Sequence, residues 1–135
     1  MALITWSDKY SVQIKEIDDQ HKVLVGMIND LHDAMKQAKS KEASLEIINK
    51  MAEYTKYHFS TEEKYMKRYA YPDYSEHKLE HEKFIENVLK FKEDYEKGKA
   101  GISYDILNFL KNWLVGHIQS TDRKYAPLFI ENGLN

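Results

Sequence analysis

Several side chains in this 135-residue sequence stand at spacings suited to holding a metal ion. His58 and Glu62 are four residues apart, and so are His77 and His81. On an α-helix, positions i and i+4 point the same way within about 40°, one turn apart. Each pair can therefore reach one ion, or one member can bind while the other bridges two. His117 and Asp122 are five residues apart, which on an ideal helix puts them about 140° from each other. Either the helix has ended before Asp122, or a π-bulge brings the two into line, and such bulges favour functional sites. His21 is the remaining histidine on an apolar stripe.

Four helices are needed to position these residues, and the periodicity predicts four. The first runs from about Asp19 to Ala38, with Asp18 or Asp19 as N-cap and a stripe of His21, Leu24, Ile28, Leu31 and Met35. The second runs from about Lys41 to Arg68, capped by Ser40, with Ile48, Met51, Thr55, His58, Glu62 and Tyr65 on one face. The third runs from about Asp73 to Lys97, with His77, His81, Phe84, Val88, Phe91 and Tyr95 in line and Gly98 as its C′ residue. The fourth starts near Ser103 as N-cap and runs to about Thr121, with Ile106, Leu110, Trp113 and His117 in line. Short connections between helices of this length predict an all-α, up-down-up-down four-helix bundle. Residues 1–17 are expected as an extended arm anchored by Trp6, Tyr10, Ile14 and Ile17. Residues 123–135 are expected as a short tail anchored by Tyr125, Leu128 and Phe129. The whole is read as one domain, with the bundle over about 18–122.

Every one of these helices places a metal-capable residue where a core residue belongs. An ionised Glu62 among Thr55, Phe59 and Tyr65 costs several kcal/mol if nothing pairs with it. The only arginines, Arg68 and Arg123, lie near helix ends. A cationic centre satisfies Glu62, Asp122 and the inward histidines together. Seven donors exceed what one metal needs and suit two metals with bridging carboxylates. Five imidazoles and two carboxylates without sulfur fit iron well and manganese less well. A dry, histidine-rich core favours a carrier over a hydrolase. No Glu-x-x-His occurs in the chain, which counts against the oxidase type of di-iron site.

Composition removes other classes. With no cysteine, the chain has no disulfide, thiolate metal site or thiol nucleophile. A net charge of −2 leaves no basic excess to neutralise nucleic-acid phosphates. No run approaches the roughly 18 apolar residues of a membrane span, and the first ten residues carry no signal-peptide pattern. The expectation is a cytoplasmic protein, monomeric in the absence of a long exposed apolar stripe. His32, eleven residues and roughly 16 Å from His21 along a helix, is read as packing or surface. Most of the ten tyrosines are read as packing, with Tyr65 one turn beyond Glu62 and within reach of the site.

Taken in order, Asp18-Asp19-Gln20-His21, His58-Phe59-Ser60-Thr61-Glu62, Tyr71-Pro72, His77-Lys78-Leu79-Glu80-His81 and Trp113 through His117 to Asp122 resemble the hemerythrin family in its single-domain bacterial form. Trp6 matches the tryptophan common in that family's arm. The resemblance covers nearly the whole chain. It implies a non-heme centre of two iron ions bridged by oxide or hydroxide that binds O₂ reversibly, for carriage, storage, delivery or sensing. It implies that His77, His81 and His117 hold one iron, that His21 and His58 hold the other with an open position, and that Glu62 and Asp122 bridge both. It implies further that Leu24, Phe59, Leu114 and Ile118 line the O₂ pocket, and that any O₂-consuming or signalling partner is a separate protein. The alternative is a redox enzyme built on the same di-iron core, acting as a peroxidase, oxidase or nitric-oxide handler. That enzyme calls for a polar residue near the open iron, and the candidates there are apolar. One departure is Ala70, where the family often has glycine. If that position needs positive φ, alanine strains it by about 1 kcal/mol.

Overall fold

Apolar residues recur at three- and four-residue intervals along four segments, and those segments are helical. The structure is a computed structural model that describes residues 3–37, 41–98 and 101–134, with Ile102 and Ser103 described by their backbone alone. It contains α1 (Lys15–Lys36), α2 (Lys41–Arg68), α3 (Tyr74–Glu96), α4 (Ile102–Gly116) and α5 (Arg123–Glu131). A short 3₁₀ turn, Asp8–Tyr10, precedes α1, and a π-helical turn, His117–Asp122, joins α4 to α5. Each of the first four helices lies against its neighbours in the chain, and α4 closes the ring on α1. With connections of only four or five residues, neighbours run antiparallel and the bundle is up-down-up-down.

The buried stripes are those expected, with Leu24, Ile28 and Leu31 on α1, Ile48 and Met51 on α2, Phe84 and Val88 on α3 and Ile106 and Leu110 on α4. Met35, Phe91, Tyr95 and Trp113 are only half-buried, at the edges of the same cluster. A second apolar cluster joins Val12, Ile14 and Ile17 to Tyr65, Met66 and Tyr71 and to Tyr125 and Phe129. The candidate site lies between the two clusters, at the level of His58 and Glu62 on α2.

Three boundaries differ from the sequence expectation. The first helix starts at Lys15, before Asp19, with Ile14 extended in the N-cap position and making no side-chain cap bond. Ile14 and Ile17 are fully buried, so apolar anchoring decides this end in place of a polar cap. Asp18 instead ties the arm down, accepting from Ser11 Oγ at 2.6 Å and from the Val12 N–H at 2.8 Å. Asp19 forms an exposed pair with Lys15 at 2.7 Å. The arm is therefore extended only in part, and it is also held by Asn29, whose amide exchanges two 2.9 Å hydrogen bonds with the Ile4 backbone. The fourth helix takes Gly101, at φ 75°, in its N-cap position, and Ser103 lies inside the first turn. The tail is helical rather than irregular. The π turn keeps the spiral continuous, and Tyr125 and Phe129, one turn apart, are wholly buried in the second cluster.

The end of α2 at Arg68 and the start at Lys41 are as expected. The expected Ser40 cap and the Ala38 end of the first helix lie outside the described residues. Gly98 follows α3 at φ 73°, as a C′ residue does.

Candidate metal centre

The first three helices and the π turn that follows α4 contribute to one buried cluster. His21 comes from α1, His58 and Glu62 from α2, and His77 and His81 from α3. His117 and Asp122 come from the two ends of the π turn. The turn's i→i+5 winding carries more residues per turn, which reduces the 140° offset of an ideal helix, and His117 Nε2 lies 2.9 Å from Asp122 Oδ1. All seven residues are buried, with Glu62 and Asp122 at 0% exposure.

The donor atoms form two overlapping sets. Glu62, His77, His81, His117 and Asp122 make one; His21, His58, Glu62 and Asp122 make the other. The carboxylates belong to both. Asp122 Oδ1 faces His77 at 3.0 Å and His117, while Oδ2 faces His21 at 3.1 Å. Glu62 Oε1 stands 3.0 Å from His58 Nε2 and 3.5 Å from His81 Nε2. The three rings of the larger set lie with centroids 4.5, 4.9 and 5.2 Å apart, and His21 and His58 are 4.6 Å apart.

These atoms are close but are not hydrogen-bonded to one another. Nε2 of His21, His77, His81 and His117, Oε1 of Glu62 and both Asp122 oxygens are buried without a hydrogen-bond partner. Each orphaned buried polar atom costs about 1–3 kcal/mol. So many orphans converging on one volume are the signature of ligands around a cation. The donor set of imidazole and carboxylate, without sulfur, fits iron.

The electrostatics agree. Burial pushes the Asp122 and Glu62 carboxyl groups up, and the Asp122 charge adds to this at Glu62, but the facing imidazoles outweigh it and hold both below the ordinary carboxylate range, Asp122 well below it. Burial lowers His81. Burial also acts to lower His117, but the Asp122 charge beside it prevails and raises it.

The imidazoles are oriented by outer partners that sequence reasoning missed. The His58 Nδ1 lies 2.6 Å from Gln20 Oε1, and His81 Nδ1 lies 3.1 Å from Glu63 Oε2. His117 Nδ1 lies 3.8 Å from Glu80 Oε2. Such partners fix the tautomer and raise ligand basicity. The Tyr125 hydroxyl donates to Glu62 Oε2, and burial together with the two carboxylate charges raises its pKa far above the ordinary phenol value. Each of these residues stands next to a cluster residue in sequence or three positions from one, which is the only signal the sequence offers. Tyr65, by contrast, turns away from the site and donates to Glu16. His32 stands apart, 4.0 Å from Asp33.

Apolar residues seal the cluster. Phe59 stacks on His81 with centroids 3.7 Å apart, and Trp113 stacks on His117 at 4.2 Å. Leu24, Phe59, Leu114 and Ile118 are all at most 5% exposed and share the larger apolar cluster. Among the described residues, no helix is long and apolar enough to cross a membrane.

Known proteins are similar to this chain in sequence and fold. The family model for the hemerythrin HHE cation binding domain matches residues 12–129. A bacteriohemerythrin of Methylococcus capsulatus (strain ATCC 33009 / NCIMB 11132 / Bath) is 32% identical over 128 residues, covering 94% of this chain and 97% of that protein. A myohemerythrin of Theromyzon tessulatum is 34% identical over 121 residues, covering 89% of this chain and 88% of that protein. A crystal structure of wild-type hemerythrin superposes with a TM-score of 0.87 at 30% identity, over 95% of this chain and 98% of that one. The chain belongs to the hemerythrin HHE cation-binding domain family.

Proposed function

We propose that this chain binds O₂ reversibly at two iron ions held in the buried cluster. The observation that carries this reading is the overlap of the two donor sets, which share Glu62 and Asp122 and no other residue. His77, His81 and His117 would hold one ion, and His21 and His58 the other. Glu62 and Asp122 would bridge them, along with an oxide or hydroxide. Two ferrous ions so held supply the electrons that bind O₂ and recover them on release.

The chain's own residues make that cycle reversible. The set with two histidines has one imidazole fewer, which leaves room for a ligand on that side. Leu24, Phe59, Leu114 and Ile118 would line that space and keep water from the bound O₂. Gln20 holds the His58 ring and Glu63 the His81 ring, so neither swings when the charge at the centre changes. Tyr125 keeps its proton and donates it in a hydrogen bond to the Glu62 carboxylate, holding that carboxylate in a fixed orientation. These apolar and fully engaged groups favour release of O₂ over its reduction, hence a carrier, store or sensor rather than an enzyme.

An optical cycle tests the reading. Metal-free protein is loaded anaerobically with two equivalents of Fe²⁺, exposed to O₂ and purged with argon. A visible absorption band that appears with O₂ and disappears on purging is the expected result. A band that decays directly to a stable ferric spectrum overturns reversible binding.

A further inference from the structure

We propose that the acidic cavity between the start of α3 and the end of the π turn is the port through which Fe²⁺ reaches the buried cluster. The proposal rests on the iron reading above and adds where the ions come in. The cavity has a volume of about 260 Å³ and carries the carboxylates of Asp73, Glu76 and Glu80 on its α3 side, with Thr121 and Lys124 opposite. Three carboxylates against one ammonium leave its lining net negative, which concentrates cations at its mouth.

Its floor is the cluster itself. His77 lines the cavity, is 2% exposed, and is the one lining residue that belongs to the donor sets. Its Nε2 faces Asp122 at 3.0 Å, which leaves Nδ1 on the other side of the ring, buried and without a hydrogen-bond partner. Glu80 reaches a second member of the same set, with Oε2 3.8 Å from His117 Nδ1. A hydrated Fe²⁺ is held loosely by exposed carboxylate oxygens and more tightly by imidazole nitrogen. The gradient along this cavity therefore runs inward, from Asp73 and Glu76 to the three-histidine set.

Two other cavities lack this combination. A larger one, about 770 Å³ between the arm and α5, is lined by Asp8 and Arg123 among others and by no cluster residue. The groove beside Phe59 and His81 balances Glu63 and Glu82 against Lys56 and Lys78. Of these three cavities, the one over His77 alone is net acidic and lined by a member of the donor sets.

The experiment is anaerobic stopped-flow uptake by the metal-free full chain, with Co²⁺ as probe read by its visible absorption. Asp73→Asn/Glu76→Gln is compared with Glu42→Gln/Glu46→Gln, an equal charge change on α2, roughly 18 Å or more along the helix from His58. The port predicts that the first pair slows uptake about tenfold at low ionic strength, that the control pair does not, and that Lys124→Gln speeds it. Salt should erase the differences, and the final metal count should stay the same in all four proteins. Loading of the Asp73/Glu76 variant at the control rate, with two ions bound, overturns the port and leaves the iron reading standing. A wild-type chain that takes up no metal at equilibrium overturns both.

Discussion

The Tyr125 hydroxyl donates to Glu62 Oε2 across 63 residues of sequence, tying the last helix to the carboxylate that faces both His58 and His81. Both side chains are fully buried. Deleting the donor leaves a fully buried carboxylate oxygen without its partner. Tyr125→Phe should lower stability by about 2 kcal/mol in urea unfolding while two metal ions remain bound per chain. An unchanged unfolding midpoint would show that the hydroxyl contributes nothing to holding Glu62.

The shared carboxylates and the separate histidines should behave differently when removed. Asp122 faces three imidazoles drawn from both donor sets, so Asp122→Ala should bring the iron count below two per chain, and Glu62→Ala likewise. His21→Ala/His58→Ala touches only the smaller set and should leave one ion. Metal analysis after dialysis decides this, and full occupancy in both carboxylate variants would refute the bridging assignment. Because ions bind the folded chain alone, chelation should also lower the melting temperature. A ligand present at a hundred times its Kd contributes about 2.7 kcal/mol per site.

The donor-bearing face was legible because side chains on a regular helix inherit its period. His58/Glu62 and His77/His81 stand on the same stripes as Ile48, Met51, Phe84 and Val88, so a reader following the core meets them in turn. His117 and Asp122 break the period, and that break was itself informative, since only a widened turn lets both face inward. The outer partners were not legible. Gln20, Glu63 and Glu80 have the composition of any solvated helix face, and their pairing depends on how helices cross, which no spacing within one helix encodes. The helical α5 was missed for a related reason. Tyr125 and Phe129 are a single i,i+4 pair, too short a pattern to outweigh Pro127 and Gly133 beside them.

Ala70 carries backbone strain that one substitution should release. It sits at φ 54°, in the left-handed region, in the turn between α2 and α3. Its N–H and that of Tyr71 return to Lys67 and Met66 carbonyls, so the turn is fixed by the helix end and alanine must conform to it. Left-handed geometry costs an L-residue roughly 1–2 kcal/mol, and glycine gives back part of that advantage through its looser unfolded chain. Ala70→Gly should therefore stabilise by about 1 kcal/mol in urea unfolding, with the iron count unchanged. A destabilised variant would mean that the strain is absorbed elsewhere in the turn.

Tyr65 and Glu16 should give the fold a dependence on high pH. The Tyr65 hydroxyl donates to the Glu16 carboxylate, and this hydrogen bond, followed by burial and the Glu16 charge, raises the phenol to about 12. The folded value lies above the ordinary value of about 10, so the fold favours the protonated phenol. Its contribution is present in full below about pH 10 and is lost as pH rises through about 12. Glu16→Gln removes the charge and should shift this one phenol back toward 10, visible as a difference in ultraviolet phenolate absorbance between the two proteins that peaks inside that window. The wild-type advantage in urea unfolding should shrink over the same range. Superimposable titration curves for the two proteins would remove Glu16 as the cause.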